Sequence, residues 1–311
     1  MWNDNSNSLS RRRFMQYLGL LGATAGGLPL TALASTAMLK KVIPSSGEQI
    51  PVIGMGSSRT FDSGRDPETY ARLTEVLQTF FDRGGSVIDT SPMYGRSEQV
   101  LGDLLVNVRN RGALFTATKV WTEGKEDGIA QMKESMRLLR VPVIDLMQIH
   151  NLLDWRVHME TLAQWKDKGL IRYIGITTHR GFDHDQLAHV MENHPIDFVQ
   201  FSYSIANRKA EQRILPLARE RGIATMINRP FMRGSLFQHV KGQSLPQWAK
   251  EFDCHSWGQF FLKFVVSHPA VTCSIPATSK AHHMVDNMTA GYGRMPDERE
   301  RKRMLEFFAS I

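Results

Sequence analysis

The sequence predicts an α/β fold, a (β/α)8 TIM barrel preceded by an N-terminal β-hairpin, and three observations predict it. From about residue 39 onward, apolar β-rich runs alternate with amphipathic helical stretches, the order that builds a parallel sheet with helices outside it. Eight such units fit in the 311 residues without a Pro/Gly/Ser-rich linker between them. The strand runs are apolar without alternation, as burial on both faces requires. A chain with 42% hydrophobic residues can bury a core of that size.

The elements follow in order. A hairpin over about residues 41–52, turned at Ser45-Ser46-Gly47, precedes a first strand at 52–56. Later strands read 86–89, 114–118, 145–149, 173–177, 198–201, 224–227 and 271–275, each followed by helical sequence. Charges in 297–303 alternate in sign at helical spacing, which reads as a solvated terminal helix. The only cysteines are Cys254 and Cys273, the second inside a strand run, so no disulfide scaffold is expected.

Residues 1–34 do not read as part of that fold. A polar start leads to Ser10-Arg11-Arg12-Arg13-Phe14, and an apolar Gly/Ala/Leu run then ends in Ala32-Leu33-Ala34. The paired arginines resemble the twin-arginine (Tat) export signal, and Ala-x-Ala is a pattern that a signal peptidase accepts. Gly26, Gly27 and Pro29 leave the run shorter and less apolar than a spanning helix needs. Cleavage after Ala34 is expected to leave 35–311 as a single barrel domain in the periplasm. The leader's expected partner is the Tat export machinery, with no stable membrane insertion after processing.

The formal net charge is +7, of which the three leader arginines against Asp4 supply two units. The other basic residues are scattered among acids with no aromatic-interleaved stripe, so nucleic acid is not an expected partner. A small anionic molecule fits better.

A barrel places function just past the carboxyl ends of its strands, and four polar residues stand there together. Asp89 ends the second strand and opens Asp89-Thr90-Ser91-Pro92-Met93-Tyr94-Gly95, Lys119 ends the third, and His150 ends the fourth. This constellation resembles the aldo-keto reductase family, and the resemblance runs from the hairpin to the terminal helix. It implies an NAD(P)(H)-dependent oxidoreductase interconverting a small-molecule carbonyl and an alcohol, with Asp89, Tyr94, Lys119 and His150 as its catalytic group.

Chemistry explains the residue types. Reducing a carbonyl needs a hydride on carbon and a proton on oxygen. Tyr94 is the expected proton donor, and the Lys119 ammonium is expected to bring its pKa down toward the working range. Asp89 should hold that ammonium in place, while His150 donates a hydrogen bond that orients the carbonyl. Singly, these residues could be a turn cap, a packed aromatic, a rim charge and a core histidine. Their arrival at three successive strand ends favours the joint reading.

The resemblance also implies cofactor contacts. No helix follows Gly54-Met55-Gly56 directly, so it is not a Rossmann turn. Gly56 instead marks a close backbone approach beneath the nicotinamide, with Ser57 beside it. Gln200 matches the family residue that hydrogen-bonds the carboxamide. At the fifth strand end, where the family often shows Ser-Asn, this chain has Thr177-Thr178-His179; Thr177 keeps a hydroxyl, but Thr178 has no amide. Asn228 follows the seventh strand, and Arg233 and Gly234 resemble the loop over the pyrophosphate.

Thr278, Lys280, His283, Asp286 and Asn287 resemble the adenosine-phosphate segment. Ala277 and His283 stand where phosphate-preferring members carry Lys and Arg, while Lys280 can compensate, so the reading leans to NADP(H) over NAD(H). No metal is expected, because His184, His189 and His194 step by five residues, turning a helix by about 140° net each time, so their rings fan apart. Trp121 and Trp155 are candidates for an apolar substrate wall.

Two other classes fit less well. A nicotinamide-binding sensor or partner module on the same barrel would not need an intact acid group. A barrel hydrolase needs paired carboxylates, and only Asp89 stands at a strand end.

Overall fold

The computed structural model describes residues 37–179 and 183–311, so the leader read at 1–34 lies outside the described residues. The described chain opens with a hairpin, β1 (Lys40–Val42) against β2 (Gln49–Pro51), antiparallel with Lys41 opposite Ile50. Its turn needs one left-handed residue, which Gly47 supplies at φ 79°. Lys41 fastens the hairpin by donating from Nζ to the carbonyls of Val266, His268 and Val271 at 2.8, 2.9 and 2.6 Å. Ile43 and Ile50 join the apolar interior formed by Val87, Phe115, Leu146, Tyr173 and Phe198, so the hairpin plugs the base of the barrel.

Eight parallel strands follow in spatial order along the chain: β3 (Met55–Gly56), β4 (Val87–Asp89), β5 (Phe115–Val120), β6 (Ile144–Ile149), β7 (Ile171–Thr177), β8 (Phe198–Ser202), β9 (Ala224–Asn228) and β10 (Cys273–Ser274). The barrel closes where Ile53 bridges Ser274: the Ser274 amide donates to Val52 O and the Gly54 amide to Ser274 O, both at 2.8 Å. This seam carries few ladder bonds. The first and eighth strands therefore shrink to two residues each, against the five expected for each from the sequence.

Helices α1 (Pro67–Asp82), α2 (Ser97–Leu105), α3 (Lys125–Leu139), α4 (Trp155–Asp167), α5 (His184–Asn193) and α6 (Ile214–Arg221) each follow a strand. The short α7 (Ser235–His239) and α8 (Trp257–Val266) follow β9, α9 (Ala281–Thr289) follows β10, and α10 (Glu298–Ala309) ends the chain. Local sequence sets their starts. Pro67 occupies the first turn of α1 while Asp66 accepts the Thr69 amide at 2.8 Å. Asp297 and Glu300 form a reciprocal capping box on α10.

A second, larger apolar cluster fills the space between strands and helices, with Phe80, Leu162, Phe201 and Phe260 among its fully buried members. Cys254 and Cys273 are buried and free. Among the described residues no helix is long and apolar enough to cross a membrane.

Candidate active site

Side chains alternate along a strand, so an inward apolar residue is followed two positions later by another inward residue. Toward the carboxyl ends the inward set turns polar. Val87 is followed by Asp89, Phe115 and Ala117 by Lys119, Leu146 by Gln148, Tyr173 and Gly175 by Thr177, Phe198 by Gln200, and Met226 by Asn228. One polar layer thus caps the apolar interior.

At its centre is an ion pair. Lys119 lies within β5, which runs one residue beyond it, and its side chain is 0% exposed against 3% for Asp89. Lys119 Nζ donates to Asp89 Oδ1 at 2.8 Å, to Oδ2 at 2.7 Å and to Thr90 O at 2.6 Å. Burial alone would lower the lysine pKa, but the charges of Asp89 and Tyr94 and the Asp89 hydrogen bond together outweigh it and raise it. The ammonium therefore stays charged. Gln148 Nε2 and Gln200 Nε2 each donate to Asp89 Oδ1 at 2.9 Å, and Gln200 Nε2 also reaches Gln148 Oε1 at 3.1 Å.

Tyr94 sits on the loop after β4, its amide donating to Ser91 O at 3.0 Å. Lys119 Nζ lies 5.2 Å from the phenol ring centroid. The expectation of a net downward pKa shift is corrected here. Burial pushes the phenol pKa up, and the opposing pull of Lys119 is the smaller effect. Tyr94 consequently keeps its proton at neutral pH.

His150 follows β6 and meets Tyr94 edge-on, with ring centroids 5.9 Å apart and planes at 90°. Burial, then the positive charge of Lys119 and the neighbouring His179, push its pKa down to about 2. Its ring is neutral. Nδ1 lies 3.1 Å from Ser91 Oγ.

These groups border one cavity of about 800 Å³, which Asp89, Tyr94 and His150 line directly while Lys119 lies beneath. Gly56, Ser57, Thr177, Gln200, Asn228, Arg233 and Gly234 line the same cavity. Thr278, Lys280, His283, Asp286 and Asn287 are not part of its lining. Lys280 and His283 are exposed where α9 begins, and the Thr278 hydroxyl accepts the Lys280 amide at 3.1 Å.

Several of these residues have partners within the protein. Asp286 accepts from Ser256 Oγ at 2.8 and 2.7 Å and from Gln259 Nε2 at 2.7 Å, so its carboxylate is tied to the start of α8. The Gln200 amide nitrogen turns inward to Asp89, and its oxygen accepts from Asn228 Nδ2 at 3.3 Å. The missing Cβ of Gly56 answers to a neighbouring strand end, since a methyl there would stand 2.9 Å from Ile275 O. Trp155 is buried at 5% exposure against His194, whereas Trp121 is 40% exposed with its ring 6.3 Å from that of His150. Neither lines the cavity, and of the two only Trp121 stands beside a residue that does.

The sequence reading missed Gln148, Ser91, and the lining residues Arg59, His179 and Arg229. The lining is suited to an anionic nucleotide. Arg59, Arg229 and Arg233 bring positive charge to it, and the Ser57 hydroxyl is buried without a partner. Among the described residues no cluster of His, Cys, Asp and Glu could hold a metal ion.

Known proteins resemble this chain in sequence and in fold. The profile described as "Aldo/keto reductase family" matches residues 52–300. Aldo-keto reductase YhdN of Bacillus subtilis is 26% identical over 212 residues, covering 62% of this chain and 62% of its own length. Methylglyoxal reductase YeaE of Escherichia coli is 25% identical over 261 residues, covering 80% of this chain and 89% of its own. Among solved structures, an aldo/keto reductase from Klebsiella pneumoniae in complex with NADP and acetate superposes with a TM-score of 0.72 at 21% identity, covering 86% of this chain and 95% of that one. A holo-form aldo-keto reductase from Bacillus halodurans gives 0.71 at 21% identity, over 87% and 96% of the two chains. At that identity the structural likeness concerns the fold.

Proposed function

The chain belongs to the aldo/keto reductase family and is an NAD(P)-dependent oxidoreductase of carbonyl compounds, and from that premise we propose that Tyr94 is its proton donor, with Lys119, Asp89 and His150 completing the catalytic group. The observation that carries this reading is the meeting of a protonated phenol, a buried Lys119–Asp89 pair and a neutral imidazole at one cavity.

Each residue's part follows from its surroundings. Tyr94 holds its proton in the resting site and gives it to the carbonyl oxygen as negative charge develops there. The phenolate left behind is attracted to the Lys119 ammonium, an interaction stronger in the transition state than in the ground state. Asp89, gripped by Gln148 and Gln200, keeps that ammonium where it is needed without rearrangement. His150 is neutral, so it orients the substrate oxygen by hydrogen bonding and does not compete with Tyr94 as the acid.

Ser57, Thr177, Arg233 and Gly234 are the residues suited to hold the dinucleotide, and when bound it supplies the hydride. NADP(H) is favoured over NAD(H). Lys280, exposed at the start of α9, can meet a 2′-phosphate, and the Klebsiella relative was solved with NADP. The twin-arginine leader directs the folded chain through the Tat machinery to the periplasm, a reading supported by Arg11, Arg12 and the Ala32-Leu33-Ala34 site.

The test is reduction of small aldehydes, ketones and quinones by purified protein. Methylglyoxal, named for the E. coli relative, belongs in that set. NADPH should be consumed in proportion to alcohol formed, and faster than NADH. No turnover with either nucleotide across the set would contradict the reading.

A further inference from the structure

Ser91 lies between Asp89 and Tyr94 and is fully buried at 0% exposure. Its carbonyl accepts the Tyr94 amide at 3.0 Å, and its hydroxyl oxygen accepts the Met93 amide at 3.3 Å and stands 3.1 Å from His150 Nδ1. A hydroxyl carries one proton and two lone pairs. With the Met93 N–H directed at the oxygen, the hydroxyl proton has a single acceptor among the described residues, His150 Nδ1. The opposite arrangement, with Nδ1–H donating to Ser91, would leave a buried hydroxyl proton unsatisfied.

The geometry points to Ser91 as a positioning residue that fixes His150 in the tautomer with its proton on Nε2. A neutral imidazole has one donor and one acceptor nitrogen. With Nδ1 occupied as acceptor, Nε2–H is left to donate, and no hydrogen bond engages Nε2 among the described residues. The other tautomer would offer a substrate carbonyl a lone pair, which repels the oxygen that must be held. The backbone of the same residue anchors Tyr94, so one serine sets both the acid and the orienting donor. This inference rests on the reading of His150 as the carbonyl-orienting group.

Nitrogen NMR of full-length protein labelled at histidine tests it, with His150 assigned by difference from His150→Gln. The wild type should show Nε2 protonated and Nδ1 unprotonated with the shift of a hydrogen-bonded acceptor. In Ser91→Ala the Nδ1 resonance should move toward that of a free acceptor. Turnover should fall by about three- to tenfold with nucleotide affinity unchanged, the loss of one modest hydrogen bond. Ser91→Thr, which keeps the hydroxyl, should restore both. A protonated Nδ1 in the wild type overturns the proposal whatever the variants do, as does an unmoved Nδ1 resonance or unchanged turnover in Ser91→Ala. The spectrum is read without substrate, so an inactive protein or a dispensable His150 would sink the catalytic reading separately.

Discussion

Replacing Asp89 by Asn strands a lysine in the barrel. The Lys119 side chain is 0% exposed and has, among the described residues, Asp89 as its only carboxylate partner at hydrogen-bond distance. Removing one member of a buried pair leaves an uncompensated charge and costs about 3–5 kcal/mol. For a domain of this size that lowers Tm by roughly 6–20 °C, taking about 2–4 °C per kcal/mol. Burial then pushes the Lys119 pKa down, and the phenolate of Tyr94 loses the charge that stabilises it, so activity falls as well. A second change separates this cause from general damage. Lys119→Met in the Asp89→Asn background removes the stranded amine and should recover part of the stability without recovering activity. Urea denaturation of wild type, single and double variants reads both effects. Asp89→Asn within about 1 kcal/mol of wild type, or a double variant less stable than the single, would refute the reasoning.

Three further outcomes are expected. The folded-state pKa of His150, about 2, lies below its unfolded value of 6.5, so below 6.5 the unfolded chain binds a proton that the folded chain refuses. This contribution to stability is complete above pH 6.5 and is lost as pH falls toward 2, at about 1.4 kcal/mol per pH unit; His150→Gln should therefore lose about 2 kcal/mol less than wild type in urea melts between pH 6.5 and 5, and identical pH dependence would contradict it. Arg233→Ala should weaken NADPH and NADH alike, by about tenfold, whereas Lys280→Ala should weaken NADPH alone; fluorescence titration with both nucleotides decides, and equal losses on Lys280→Ala would remove the 2′-phosphate assignment. Lys at both Arg11 and Arg12 should abolish processing and leave the chain in the cytoplasm, as cell fractionation reads, and continued periplasmic recovery would show that the match to the Tat signal is accidental.

The barrel was legible because its periodicities are local. Asp89, Lys119 and His150 stand out as polar residues closing apolar runs; the structure places Asp89 and Lys119 in the polar layer beside Gln148, and His150 two residues past Gln148 on the cavity wall. Gln148 escaped notice because a lone amide inside an apolar run looks tolerated, although its place two residues after the inward Leu146 was a readable sign. Ser91 could not be found that way, since its partner His150 is 59 positions distant. The direction of the Tyr94 shift was misjudged for a related reason: the charge of Lys119 is written in the sequence, but the burial that outweighs it is a property of the packed loop. Asp286 matched a pattern, yet Ser256 and Gln259 at the start of another helix claim its carboxylate. The two shortened strands lie at the closing seam, where pairing depends on residues from opposite ends of the barrel sequence.

Tyr94→Phe keeps the aromatic body and removes the one proton the mechanism assigns to the substrate. Single-turnover hydride transfer from NADPH to an aldehyde, measured beside nucleotide affinity on the same protein, is the direct measurement. Affinity should stay within about twofold while the hydride-transfer rate falls by about two to four orders of magnitude. An undiminished rate would place the acid elsewhere and contradict the assignment of Tyr94.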